Sequence, residues 1–105
     1  MQPDPAQLDE LVRRIVDAVH PLRIILFGSA ARGEMGPNSD VDVMVVVPEG
    51  TPRRRTAMAL YQDVPGSPLY PEYMVATPSD MEKYGHAIGA VHAAALREGR
   101  LLYAA

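Results

Sequence analysis

The stretch that most constrains this chain runs from Phe27 to Val47 and reads FGSAARGEMGPNSDVDVMVVV. A loop joins two apolar runs, and the second run opens with Asp40 and Asp42, which one valine separates. Side chains alternate faces along a strand, so both aspartates are predicted to lie on one face. Two carboxylates about 6.6 Å apart repel by roughly 2.5 kcal/mol at an effective dielectric of about 20. A divalent cation reverses the sign of that interaction, and the pair therefore predicts a metal site.

The end of the first apolar run predicts the other half of a site. A glycine at position 28 lets the backbone approach a ligand closely, and the N–H groups at the start of the next turn attract anions. Ser29 can bond a phosphate oxygen through its hydroxyl, and Arg32 can add positive charge one helical turn later. Magnesium binds through one or two carboxylates and completes its coordination with waters and substrate phosphates. The stretch therefore predicts a site for magnesium and a nucleoside triphosphate.

The sequence does not contain the other common ligand-binding motifs. It has no Gly-Lys-Ser/Thr of a P-loop, and its glycines do not have the spacing of a dinucleotide fold. The residues after Asp40 lack the ligand order of an EF-hand. The absence of cysteine excludes disulfides, thiolate zinc sites and a cysteine nucleophile. A formal net charge of −3 argues against binding to nucleic acid through bulk positive potential, so direct DNA binding is not expected.

Hydrophobic periodicity and turn residues divide the chain into alternating helices and strands. We expect an α/β layer with right-handed crossovers, in which residues 57, 60 and 61 of the second helix face inward. The predicted elements are helix 5–20 with Asp4 as N-cap, strand 23–27, a helical turn at 29–32, strand 41–47, helix 53–63, strand 73–76, helix 79–84, helix 86–98 with Gly99 as C-cap, and an edge strand at 100–103.

Length and composition predict one domain covering residues 1–105. The chain has 105 residues, 48% of them hydrophobic and 22% charged. No run approaches the roughly 20 apolar residues of a membrane span, and the first ten residues lack the pattern of a secretory signal. We therefore expect a cytoplasmic protein without membrane association.

The motif resembles a known family. In GSAARGEMGPNSDVDVMVVV, Gly-Ser is followed after ten residues by Asp-x-Asp, which is similar to the signature of the DNA polymerase β-type nucleotidyltransferases. The segments ARGE and SDVDVMVVV resemble the minimal nucleotidyltransferase (MNT) branch, as do the later segments TPSDMEKYG and ALREGRLLY. The resemblance extends over the whole chain. It implies the polymerase β-like nucleotidyltransferase fold, a mixed α+β arrangement of a β-sheet flanked by helices.

The resemblance also implies a chemistry. Relatives transfer a nucleoside monophosphate from a triphosphate to an acceptor with Mg²⁺ and release pyrophosphate, and ATP is the expected donor here. By position, Asp40 and Asp42 are implied to hold two metal ions, while Gly28 and Ser29 hold the triphosphate. The family's third carboxylate falls on the strand before TP, where this sequence has Glu72 in PEYMVATP. Many relatives have aspartate there, so the longer side chain alters the acceptor-activating position.

The partner is implied by the same resemblance. MNT domains that stand alone resemble antitoxins, which neutralise a HEPN-type RNase toxin by attaching AMP to one of its tyrosines. We therefore expect a protein hydroxyl as acceptor and a hetero-oligomer with the toxin. One alternative is an antitoxin that acts by binding, without transfer. Another is an adenylyltransferase for aminoglycosides or other small molecules, which we expect less because a single short domain is predicted, without an acceptor-binding domain.

Overall fold

The structure, a computed structural model, describes residues 2–34, 41–64, 69–87 and 89–105. Within those ranges, the chain forms four helices and four strands. In chain order they are α1 (Pro5–Val19), β1 (Arg23–Phe27), β2 (Val41–Val46), α2 (Arg53–Asp63), β3 (Pro71–Ala76), α3 (Pro78–Tyr84), α4 (Val91–Glu98) and β4 (Arg100–Ala104). No helix in the described part of the chain is long and apolar enough to cross a membrane.

The four strands form one mixed sheet in the order β3-β2-β1-β4. β1 pairs antiparallel with both β2 and β4, whereas β2 and β3 are parallel. Parallel neighbours need a crossover connection, and α2 lies in that connection. The α+β class and the mixed sheet flanked by helices are thus confirmed. The α/β layer expected from periodicity is present in part: α2 crosses over between the adjacent parallel strands β2 and β3, and α3 and α4 carry the chain from β3 at one edge to β4 at the other, whereas β1 is antiparallel to both of its neighbours.

One face of the sheet is covered by the long helices α1 and α2, and the other, the partly covered face, by the short helices α3 and α4. α1 and α2 contribute Leu8, Leu11, Ile15 and Leu60 to the larger core, which also holds the inward side chains of β1 and β2. The opposite face carries a smaller core, in which Met81 of α3 and Ala95 of α4 pack near Phe27. Two short helices bury less apolar surface than two long ones. This second face therefore has room for polar side chains.

Local sequence signals set most of the element boundaries. The Asp4 side chain accepts hydrogen bonds from the backbone N–H groups of Ala6 and Gln7 at 2.8 and 3.4 Å, which confirms it as the N-cap of α1. β1 and α2 have the predicted bounds, and Gly99 is the C-cap of α4. β4 is the predicted edge strand.

Two predictions about the helices are wrong. The last helix begins at Val91 instead of residue 86, because turns that include Gly89, at φ 83°, precede it. Tyr61 of α2 does not face inward, since the side chain is 56% exposed. Its hydroxyl instead accepts the backbone N–H of Tyr73 at 3.0 Å. Because β3 is an edge strand, this bond occupies a donor that would otherwise be open to another chain.

Tyr73 carries a polar group that burial penalises. Its ring lies edge-on to Tyr61, with 5.1 Å between centroids, while its hydroxyl is buried and has no hydrogen-bond partner among the described residues. Burial raises the pKa of the Tyr73 hydroxyl, since the phenolate would lose its hydration.

Replacing Tyr73 by phenylalanine should leave the free energy of unfolding at pH 7 unchanged or slightly higher. The substitution keeps the ring contact and removes an unsatisfied hydroxyl. The pKa is higher in the folded state than in the unfolded chain, so this group favours folding less as pH rises above about 10. Urea unfolding from pH 8 to 11 should therefore show a steeper alkaline loss for wild type than for Tyr73→Phe. Parallel curves for the two proteins would contradict the assignment.

Candidate functional site

The site forms where the register of three strands aligns residues that are distant in sequence. Asp42 of β2 lies opposite Phe27 of β1 on one side and opposite Glu72 of β3 on the other. Residues directly opposite each other in neighbouring strands point to the same face, and such strands are about 4.8 Å apart. Asp42 and Glu72 therefore share the partly covered face of the sheet. Asp42 is half-buried and Glu72 is exposed.

The two carboxylates fit a divalent cation. At a separation of about 5 Å, they would repel by up to about 3 kcal/mol at an effective dielectric of about 20, and by less because Glu72 is exposed. Carboxylate oxygens are the hard ligands that magnesium prefers. The described residues contain no group of three potential metal ligands. Asp40 lies outside the described residues, so its place beside Asp42 stays a prediction.

Gly28 is required next to Asp42 for two reasons. Its φ of +73° lies in the left-handed region, which disfavours residues with a side chain. A Cβ atom built on Gly28 would also collide with Oδ2 of Asp42. The missing side chain thus lets the backbone after β1 lie against a carboxylate of β2. This contact joins the Gly-Ser part of the motif to its Asp-x-Asp part.

Residues 28–34 fold into a compact turn. The N–H of Arg32 donates to the carbonyl of Gly28 at 3.2 Å, which is the spacing of one α-helical turn. The N–H of Glu34 donates to the carbonyl of Ser29 at 2.9 Å, and Ala30 is fully buried beneath the turn. The predicted helical turn is therefore present. Ser29 is half-buried beside Gly28, and its role with phosphate stays a prediction.

Arg32 is held by two glutamates. Its Nε donates to Glu34 and its Nη1 donates to Glu98, each at 2.8 Å. The hydrogen bond that Arg32 donates to Glu34, and then the one it donates to Glu98, raise the pKa of the Arg32 guanidinium, which stays charged. Binding of phosphate by Arg32 stays a prediction. The pairing with Glu98 could not be read from the sequence, because 66 residues separate the two and no local pattern links them.

Comparison with known proteins places the chain in a family. A model of the nucleotidyltransferase domain matches residues 8–97, which is most of the sequence. The chain belongs to the nucleotidyltransferase domain family. The family expected from the Gly-Ser and Asp-x-Asp motif is thereby confirmed. No curated protein matches the sequence.

Solved nucleotidyltransferase structures share the fold. A protein from Sulfolobus solfataricus, provisionally described as a nucleotidyltransferase, is 14% identical, with a TM-score of 0.58 over 97% of this chain and 90% of its own. A toxin–antitoxin structure with AMP-PNP is 18% identical, with a TM-score of 0.57. A mutant of the toxin–antitoxin MntA–HpeT is 17% identical, with a TM-score of 0.63. The match to each toxin–antitoxin structure covers 93% of this chain and 73% of the other.

The close approach of Gly28 to Asp42 can be tested with two alanine substitutions. Gly28→Ala should lower the free energy of unfolding by at least about 1–2 kcal/mol, because the left-handed backbone penalises the new Cβ and the Asp42 carboxylate must move away from it. It should also weaken binding of magnesium–ATP at least tenfold by displacing the Asp42 carboxylate. Urea unfolding and calorimetric titration measure the two effects.

Gly50→Ala is the matched control for Gly28→Ala. Gly50 has a similar φ of +85°, but no atom lies within 4 Å of a Cβ built on it. We expect a loss of only about 1–2 kcal/mol from the backbone term, and unchanged nucleotide binding. Equal effects of the two substitutions on stability and on binding would contradict the role of the Gly28–Asp42 contact.

Proposed function

We propose that this nucleotidyltransferase moves AMP from ATP to a protein hydroxyl, a tyrosine of a HEPN-type RNase toxin, and so acts as an antitoxin. The observation that carries the proposal is the alignment of Asp42 with Glu72 beside Gly28 within the family's fold. Asp42, Glu72 and the backbone of Gly28 lie close together, and the motif predicts metal and triphosphate binding for these residues. Asp40, one residue before Val41, supplies a further carboxylate in this proposal.

The chemistry of each side chain determines what it would contribute to the reaction. Asp40, Asp42 and Glu72 would hold magnesium, which when bound lowers the cost of developing negative charge on the attacking and leaving oxygens. Gly28 lets the triphosphate approach the main chain, and Ser29 and Arg32 bond its oxygens. Glu72 would lie nearest the acceptor, where its carboxylate can accept the proton of the attacking hydroxyl. Positioning of donor and acceptor supplies much of the remaining rate enhancement.

The structural neighbours support a toxin as the partner. Two of them are toxin–antitoxin complexes, and one of these contains AMP-PNP, an analogue of ATP. The other is a mutant with two aspartates replaced by glutamate at positions separated by one residue. Asp40 and Asp42 have that same spacing in this chain. At 17–18% identity these structures show a shared fold, and the toxin partner of this chain is our proposal.

Asp42→Asn should reduce nucleotide transfer by at least 100-fold. The amide keeps the shape of the side chain but loses the charge that a metal ion requires. The assay combines purified protein, Mg²⁺, α-labelled ATP and the product of the neighbouring gene, with the modified residue located by mass spectrometry. Asp17→Asn is the matched control, since Asp17 is exposed on α1, which packs against the opposite face of the sheet.

Retention of labelling by Asp42→Asn would contradict the catalytic assignment. Co-expression with the toxin tests the antitoxin mechanism separately. If Asp42→Asn abolishes labelling but still rescues growth, the protein neutralises its toxin by binding, as in the non-catalytic alternative. Labelling of aminoglycosides in the absence of any protein partner would instead favour the small-molecule alternative.

Glu72→Gln should lower kcat by about 100-fold or more and leave the KM for ATP within a fewfold of wild type. The substitution removes the carboxylate on the acceptor side, while the triphosphate-binding turn stays intact. Glu82→Gln, an exposed glutamate of α3, is the matched control. An unchanged kcat for Glu72→Gln would show that Glu72 does not complete the site.

A further inference from the structure

We propose that Tyr70 is the stacking surface for the nucleobase of the donor nucleotide. The inference rests on the proposed function, because it assigns the part of ATP that the acids and the Gly28–Ser29 turn leave without a partner. Those groups match a metal ion and a triphosphate tail. A purine base is planar and largely apolar on its faces, and it requires a different kind of surface.

The backbone of Tyr70 is fixed beside the acids. Its carbonyl accepts the N–H of Val41, the residue before Asp42, at 3.3 Å. Tyr70 also directly precedes β3, two positions before Glu72. The residue therefore lies at the end of the sheet where Asp42 and Glu72 are aligned. Nothing in the hydrophobic periodicity singled it out, because it belongs to neither strand.

Tyr70 has a backbone conformation that is costly for a tyrosine. Its φ is 51°, in the left-handed region, and only one other described non-glycine residue, His20, has a positive φ. Bulky residues seldom adopt this conformation, and residues held in it are concentrated at functional sites. Glycine would relieve the strain at this position. The presence of tyrosine at position 70 therefore has a reason other than the stability of the backbone.

Burial does not supply that reason. The Tyr70 side chain is 60% exposed, the largest value among the exposed large apolar side chains of the described residues. An exposed aromatic ring adds little to the core, yet it offers a flat face to a ligand. Base–aromatic stacking is worth about 1–3 kcal/mol per base, which corresponds to roughly 5- to 150-fold in affinity. Strain, exposure and position together favour a ligand-binding role.

The test compares two probes on two variants of Tyr70. Magnesium–ATP carries a base, whereas magnesium–tripolyphosphate presents the same phosphate chain without one. Tyr70→Gly should weaken ATP binding by roughly 5- to 100-fold and leave tripolyphosphate binding within about twofold. Tyr70→Phe keeps the ring and should bind both probes as wild type does. Calorimetric titration measures the six affinities, two for each variant and two for wild type.

Thermal unfolding distinguishes a binding role from a structural one. Tyr70→Gly should raise Tm by a few degrees, because it relieves a left-handed backbone, while it weakens ATP binding. His20→Gly is the matched control. His20 has a φ of 49° and caps α1 next to the start of β1, where Arg23 pairs with Val46, so it lies at the other end of the strands from Asp42. This control should raise Tm and leave both affinities unchanged.

The outcomes separate this inference from the proposed function. One possible outcome is that tripolyphosphate binding depends on Asp42 but Tyr70→Gly binds ATP as tightly as wild type does. That result would leave the proposed function intact and overturn the stacking role of Tyr70. Equal weakening of both probes would also overturn it, because Tyr70 would then shape the phosphate site. A wild-type protein that binds neither probe would contradict the proposed function together with the inference.

Discussion

The contact between the backbone at Gly28 and the carboxylate of Asp42 is the constraint on which the site depends. A side chain at position 28 would occupy the space of Oδ2, and the φ of +73° would disfavour it in any case. The contact exists because β1 and β2 are antiparallel, with Phe27 opposite Asp42. A turn that follows one strand is thereby held against the beginning of the next. The backbone proposed to bind phosphate and the acid proposed to bind metal come together through that register.

The unequal covering of the sheet explains why the acids lie where they do. α1 and α2 pack against one face, and Val41 and Val43, on either side of Asp42, are fully buried within that core. The short α3 and α4 cover only part of the other face, around Met44 and Ala95. Burying a charge is costly, so the Asp42 carboxylate lies on the face that stays partly open. β2 thus contributes valines to the core on one face and the proposed metal ligand Asp42 on the other.

Prediction from the sequence succeeded where local physics decides the outcome. Asp4 next to proline predicted the N-terminus of α1, and alternating valines predicted β2. It failed where tertiary contacts outweigh local pattern. Tyr61 was expected in the core on helical spacing, yet its hydroxyl satisfies an edge-strand donor of β3 instead. Residues 86–90 contain no helix-breaking proline, but the turn with Gly89 at positive φ delays α4 until Val91.

The sequence by itself determined the family, the order of elements and the chemical types at the site, because Gly28, Ser29, Asp40 and Asp42 lie within a single stretch whose spacing is recognisable. The family resemblance also pointed to Glu72, but only the tertiary structure brings distant residues to this stretch. The parallel pairing of β2 with β3 brings Glu72 opposite Asp42, and an ion pair holds Arg32 to Glu98. The φ of Tyr70 likewise emerges only in the folded chain. Strand register and long-range pairing depend on how whole elements pack, and no local pattern of residues encodes that.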